Sequence, residues 1–261
     1  MRRSYRSLVL ITSLLLLLFL LAGASIVESR SRTGLLPGSA KALMSSLFPT
    51  NLPPVNIMPL GDSLTAGVTL DDSGGMSGGY RVPLWQECQW EGWNVHFVGS
   101  VSSGPASLPE RNHEGHPGWR INQLTNYIVP QLKQYQPQII LLHIGTNDLR
   151  AGTSASVAHD RLVTLLNQIT ATLPKANVIV AQIIPLDLPE GSEVGNYNRS
   201  IMSMVQSMAA QGKHISTVDM FHAVSSRDLV DHVHPNANGY RHMASAWYKA
   251  LAPILNVLEH R

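Results

Sequence analysis

This chain of 261 residues is short of cysteine and of charge, and each shortage excludes something. A single cysteine, Cys88, leaves no partner for an intrachain disulfide and no basis for a cysteine-built zinc site. Charged residues make up 14% of the chain and hydrophobic residues 44%, the reverse of the balance that keeps a chain disordered. The formal net charge is only +2, and its distribution removes even that from the globular part. Arg2, Arg3, Arg6, Arg30 and Arg32 against Glu28 put a net +4 in the first 32 residues, leaving 14 basic and 16 acidic groups for the rest. A near-neutral domain without a basic run argues against nucleic-acid binding. No internal repeat is visible.

What is present begins with an address. Met1–Arg6 is basic, Leu8–Ala22 is apolar apart from Thr12 and Ser13, and Ala22-Gly23-Ala24-Ser25 is a run of small residues. Basic, then apolar, then small is the order of a secretory signal, and the apolar stretch is at the lower limit for a membrane-spanning helix. Residues 1–27 are therefore expected to be a signal peptide or a membrane anchor, with the rest of the chain exported. Residues 28–54, rich in Ser, Gly and Pro, read as a linker with a possible helical turn at Lys41–Phe48. Residues 55–261 are expected to form the folded domain.

In that domain short apolar runs alternate with longer amphipathic stretches. Strands are expected at Val55–Leu60, Val95–Val98, Ile139–Ile144, Val178–Ile184 and Ile215–Val218. Helices are expected at Tyr80–Gln89, Ile121–Tyr135, Ser156–Leu173, Glu193–Gln211 and Ala237–Leu255. In the last, Tyr240, Met243, Ala244, Trp247 and Leu251 recur at spacings of three and four and mark one apolar face. Strands apolar on both faces belong to a parallel sheet covered by helices on both sides, so the expected fold is α/β, a three-layer α/β/α sandwich with a five-stranded parallel sheet. Ligands of such sheets sit at the carboxyl ends of the strands.

Three strand-end loops carry chemistry-bearing residues. After the first strand comes Gly61-Asp62-Ser63-Leu64, where Ser63 is either a nucleophile on a tight turn or a helix cap. After the third comes Gly145-Thr146-Asn147-Asp148, where the Asn147 amide can donate to a developing oxyanion or build an Asx-turn. Before the final helix, Asp231 and His234 lie three apart, a spacing that lets a carboxylate orient an imidazole as a base for serine. Asp228 is a competing carboxylate, and Asp231, His232 and His234 could instead be read as metal ligands. The loop with Asp71, Asp72 and Gly74–Gly79 could be read as a calcium loop or as a mobile surface loop.

Taken in chain order, Gly61-Asp62-Ser63-Leu64, Gly145-Thr146-Asn147-Asp148 and Asp231-His232-Val233-His234-Pro235 resemble blocks of the SGNH (GDSL) hydrolase superfamily. His113-Glu114-Gly115-His116-Pro117-Gly118-Trp119-Arg120 resembles the remaining glycine block. With Gly78-Gly79-Tyr80-Arg81 and Phe97-Val98-Gly99-Ser100, the text is most similar to family-3 carbohydrate esterases, secreted acetylxylan esterases. The resemblance implies a flavodoxin-like fold and ester hydrolysis by Ser63, His234 and Asp231. It implies an oxyanion hole made by Ser63, Gly118 and Asn147, with no metal or organic cofactor. The implied partner is an acetylated polysaccharide or oligosaccharide, with Trp119 in the glycine-block loop a candidate sugar contact. Two other readings remain: a lipase, lysophospholipase or thioesterase on the same scaffold, and a non-catalytic carbohydrate-binding surface protein. Trp85 and Trp247 are expected in the core; so are Cys88 and, as helix packing, Met202, Met204 and Met208. His113, His116 and His143 are expected in supporting positions.

Overall fold

The computed structural model describes residues 53–69, 75–186 and 193–259. The signal or anchor segment, most of the linker with Lys41–Phe48, and Asp71, Asp72 and Gly74 lie outside the described residues.

The sheet forms around β1 (Val55–Gly61). β2 (Val95–Phe97), β5 (Ile139–His143), β6 (Asn177–Ala181) and β7 (Ile215–Val218) join it in parallel, in the order β2-β1-β5-β6-β7. These are the five expected strands. Two short strands were not expected: β3 (Val101–Ser102) and β4 (Asn112–Gly115), an antiparallel pair. β4 continues along the β2 side of β1, pairing Leu60 with Glu114 and Gly61 with Gly115.

Pro59 explains why that side is split. The carbonyls of Ile57 and Gly61 accept from Val98 and His116 on the β2/β4 side, whereas that of Asn56 accepts from Gln138 on the β5 side. Odd-numbered residues of β1 thus face β2 and β4. Pro59, which has no N–H to donate, falls between the last residue paired with β2 and the first paired with β4.

Alternate strand residues feed two cores. Met58, Leu60, Ile140, Leu142, Val178 and Val180 pack on one side against α3 (Ile121–Tyr135), α5 (Ala155–Thr172) and α6 (Val194–Ala210). Ile57, Ile139, Leu141, Ile179 and Ala181 pack on the other against α2 (Arg81–Trp90) and α7 (Ala237–Glu259). Burial on both faces is what makes these strands read as unbroken apolar runs. The expected α7 stripe, Tyr240, Met243, Ala244, Trp247 and Leu251, is buried, as are Cys88, Met204 and Met208. Met202 departs from expectation: it lies on the outer side of α6 and is exposed. Two one-turn helices were also unforeseen, α1 (Ser63–Ala66) and α4 (Thr146–Arg150). They begin two and three residues after a strand ends, and both carry a residue of the candidate site.

Candidate active site

The site is built at the carboxyl ends of β1 and β5 and in the loop before α7. β1 ends in Gly61, where a Cβ would stand 2.2 Å from the carbonyl oxygen of His143, so only glycine allows β1 and β5 to lie this close. Asp62 follows, and its Oδ1 accepts from the Leu64 N–H at 3.0 Å. Asp62, rather than Ser63, is therefore the cap of α1, which leaves the Ser63 hydroxyl free for another partner. Ser63 is only 7% exposed.

That partner comes from the other end of the domain. His234 Nε2 lies 3.0 Å from Ser63 Oγ, 171 residues apart in sequence. His234 Nδ1 lies 2.8 Å from Asp231 Oδ2. With Nδ1–H donating to the carboxylate, Nε2 is left to accept from the serine hydroxyl. The Asp231 loop is tightly closed: Val230 N–H donates to His234 O at 2.8 Å, and His232 adopts a left-handed φ of 69°. This bend lets Asp231 Oδ1 accept from the N–H groups of Val233 and His234, at 3.2 and 2.6 Å. Partial burial pushes the Asp231 carboxyl up, but the His234 N–H, the His234 ring and the Val233 N–H together hold it below the ordinary carboxylate range. Asp228 turns away from this chain. It accepts from Ser225 N–H and Oγ at 2.9 and 2.8 Å and lies 3.4 Å from His242 Nδ1. Among the described residues, no three or more His, Cys, Asp or Glu side chains converge as a group able to hold a metal ion.

Gly118 and Asn147 approach through Trp119. The Asn147 amide donates to the Trp119 carbonyl at 3.0 Å, which ties the loop after β5 to the loop after β4. Gly118 has φ +79° with no atom within 4 Å of where a Cβ would be, so glycine is needed there for its conformation and not for space. Trp119 is half-buried and stacks on His116, centroids 4.0 Å apart. Asp148 fixes the same junction. Its Oδ2 accepts from the first N–H of α3, Ile121, at 2.9 Å, and its Oδ1 from Arg161 at 2.7 Å.

Of the groups that support the site, His113 and His143 were expected in that role and Arg81 was not. Arg81 is fully buried, and burial lowers its pKa to about 10. Its guanidinium has four carbonyl partners. Nε donates to Thr65 O and Nη2 to Ala66 O, both at 2.9 Å; Nη1 and Nη2 donate to Arg111 O and Ser103 O, both at 3.1 Å. The first two are terminal carbonyls of α1, so a cation caps the carboxyl end of the helix that carries Ser63. Ser103 Oγ lies 2.7 Å from His113 Nε2, and His113 Nδ1 accepts from Gly115 N–H at 3.0 Å. Burial, helped by Arg81 and His116, lowers the His113 pKa to about 3, so it serves as a neutral bridge. His143 is fully buried and its pKa falls to about 4, which keeps it neutral as well. Burial raises the Asp62 carboxyl to about 7.

A hydroxyl, an imidazole and a carboxylate in one hydrogen-bonded line, at the carboxyl edge of a parallel sheet, is the arrangement of a serine hydrolase of the α/β/α type. Sequence comparison gives the family. Residues 60–242 match the GDSL-like lipase/acylhydrolase family, and the chain belongs to it, a family of carboxylic ester hydrolases of the SGNH type. The chain is 32% identical to a multidomain esterase of Ruminococcus flavefaciens over 91% of its own length, and spans 33% of that protein. Among solved structures, a Clostridium thermocellum family 3 carbohydrate esterase is 34% identical with a TM-score of 0.70, covering 78% of this chain and 98% of that one. A serine-to-alanine mutant of an acetyl esterase, solved with an acetate ion, is 27% identical with a TM-score of 0.68, covering 78% and 99%.

Proposed function

We propose that this protein is an exported serine esterase that removes O-acetyl groups from a plant cell-wall polysaccharide of the acetylated-xylan kind. The observation that carries the reading is the continuous line from Asp231 Oδ2 through His234 to Ser63 Oγ, with links of 2.8 and 3.0 Å. A serine hydroxyl is a weak nucleophile and needs a base within hydrogen-bond reach. Ser63 Oγ attacks the acetyl carbonyl carbon as His234 Nε2 takes its proton. Asp231 holds the ring in the required tautomer and stabilises the imidazolium. The carbonyl oxygen becomes an oxyanion that accepts from the N–H groups of Ser63 and Gly118 and from the second N–H of the Asn147 amide, whose first is held by Trp119. Collapse breaks the bond to the sugar oxygen, which leaves with the proton from His234. Water then attacks the acetyl-serine by the reverse route and releases acetate.

The acetyl and carbohydrate parts rest on the likeness to carbohydrate and acetyl esterases. Trp119, next to Gly118, gives the sugar ring a wall to lie against. Export rests on the basic, apolar and small-residue order of the first 25 residues, and membrane contact arises only through that segment if it is retained. The test is acetate release from acetylated xylan, glucomannan, pectin and chitin fragments, beside hydrolysis of p-nitrophenyl acetate and octanoate. Release from xylan with preference for the acetate ester is expected. Preference for the octanoate would favour a lipid substrate, and xylan retention without acetate release would favour a binding protein.

A further inference from the structure

Glu114 is a carboxylate near the site that the reaction above does not use, and it has a fully buried side chain. Three donors surround it. Ser100 N–H reaches Oε2 at 2.8 Å, Ser100 Oγ reaches Oε1 at 2.7 Å, and His116 Nε2 reaches Oε1 at 2.9 Å. Ser100 Oγ in turn lies 3.0 Å from the Tyr127 hydroxyl. The carboxylate thus tethers two rings, His116 directly and Tyr127 through Ser100. Those two rings hold Trp119: His116 stacks on it at 4.0 Å and 15°, and Tyr127 meets it edge-on at 5.2 Å and 90°. Trp119 N–H also donates to His116 O at 3.1 Å. The Trp119 carbonyl then accepts from Asn147.

We infer that Glu114 is a positioning residue for the oxyanion hole, acting through His116 and Trp119 to aim the amide of Asn147. The inference rests on the serine-esterase reading. A buried carboxylate is favourable only while its donors are in place, so it fixes them in one geometry. An amide that must donate to a transition-state oxyanion gains from being held before the reaction begins. The effect belongs to the transition state, so it is expected in kcat and not in KM.

The test uses p-nitrophenyl acetate with wild type, Glu114→Gln, Asn147→Ala and the double variant, each checked for folding by thermal unfolding. Glu114→Gln is expected to lower kcat at least tenfold with KM within twofold. The double variant is expected to lose less than the product of the two single losses, because both act through one amide. His116→Gln, which keeps a donor toward Glu114 but removes the ring beneath Trp119, is a second probe with the same expectation. It carries the test if Glu114→Gln fails to fold. A folded Glu114→Gln or His116→Gln protein with kcat within twofold of wild type, or full multiplication in the double variant, overturns the inference. A wild-type protein without esterase turnover overturns the reading beneath it, and the two failures are told apart by the wild-type rate alone.

Discussion

Asp62→Asn gives the most quantitative test of the electrostatics under the nucleophile. Asp62 is fully buried; its Oδ1 accepts from Leu64 N–H, and its Oδ2 has no hydrogen-bond partner among the described residues. Burial raises its pKa from 3.8 to about 7. The folded state therefore binds this proton more tightly than the unfolded chain does. Stability is then greatest below the unfolded value and falls as pH rises from about 4 to about 7, at up to about 1.4 kcal/mol per pH unit. Above the folded value the loss is complete and constant, at most about 4 kcal/mol. Asparagine keeps the cap acceptor and has nothing to ionise. Its NH₂ adds a buried donor without a partner, an offset of roughly 1–3 kcal/mol that does not vary with pH. The assay is urea unfolding of both proteins from pH 4 to pH 8. The difference in unfolding free energy, Asp62→Asn minus wild type, cancels every other titrating group. It should climb through this range and level off near pH 8. A flat difference would show that Asp62 ionises in the fold as easily as in the unfolded chain, and would refute the reasoning.

Three further outcomes follow from the site. Asn147→Ala should lower kcat by roughly 10²–10³ with little change in KM, as expected for loss of one oxyanion donor, and steady-state kinetics on p-nitrophenyl acetate checks it. Arg81→Lys should lower the melting temperature, because one ammonium cannot reach the carbonyls of Thr65, Ala66, Ser103 and Arg111 that the guanidinium holds together, and calorimetry reads the loss. Gly118→Ala should cost about 1–2 kcal/mol of stability from its positive φ alone, since its Cβ meets nothing, and denaturant unfolding measures it.

The layers of the fold were legible because its strands are buried on both faces and its long helices carry a stripe on one. Met58 and Leu60 serve one core and Ile57 the other, and the sequence shows this as an apolar run. β3 and β4 were not legible: Asn112, His113 and Glu114 form a polar strand in which the His113 side chain is held by Ser103 and that of Glu114 by Ser100 and His116, contacts that only the tertiary fold creates. The single available clue was Pro59, a residue that cannot donate within a central strand. Ser63, His234 and Asp231 were visible as residue types at strand ends, and the structure brings them together. Residue type alone leaves Asn147 between an oxyanion donor and a turn former; the resemblance of its block implies the donor, and its bond to the Trp119 carbonyl is a contact that no local pattern encodes. Arg81 and Glu114 stand in the Gly78–Arg81 and His113–Arg120 motifs, yet nothing local distinguishes a buried charge from a solvated one. Residue type alone leaves a helix cap as the alternative for Ser63, and Asp62, one residue earlier, takes that role.

Acetate release by Ser63→Ala, compared with wild type on the same acetylated substrate, is the direct measure of the account. Among the described residues Ser63 Oγ is the hydrogen-bond partner of His234 Nε2, so the rate should fall by about 10³-fold or more while the folded melting curve is kept. A folded Ser63→Ala protein that still releases acetate at a rate near that of wild type would contradict it.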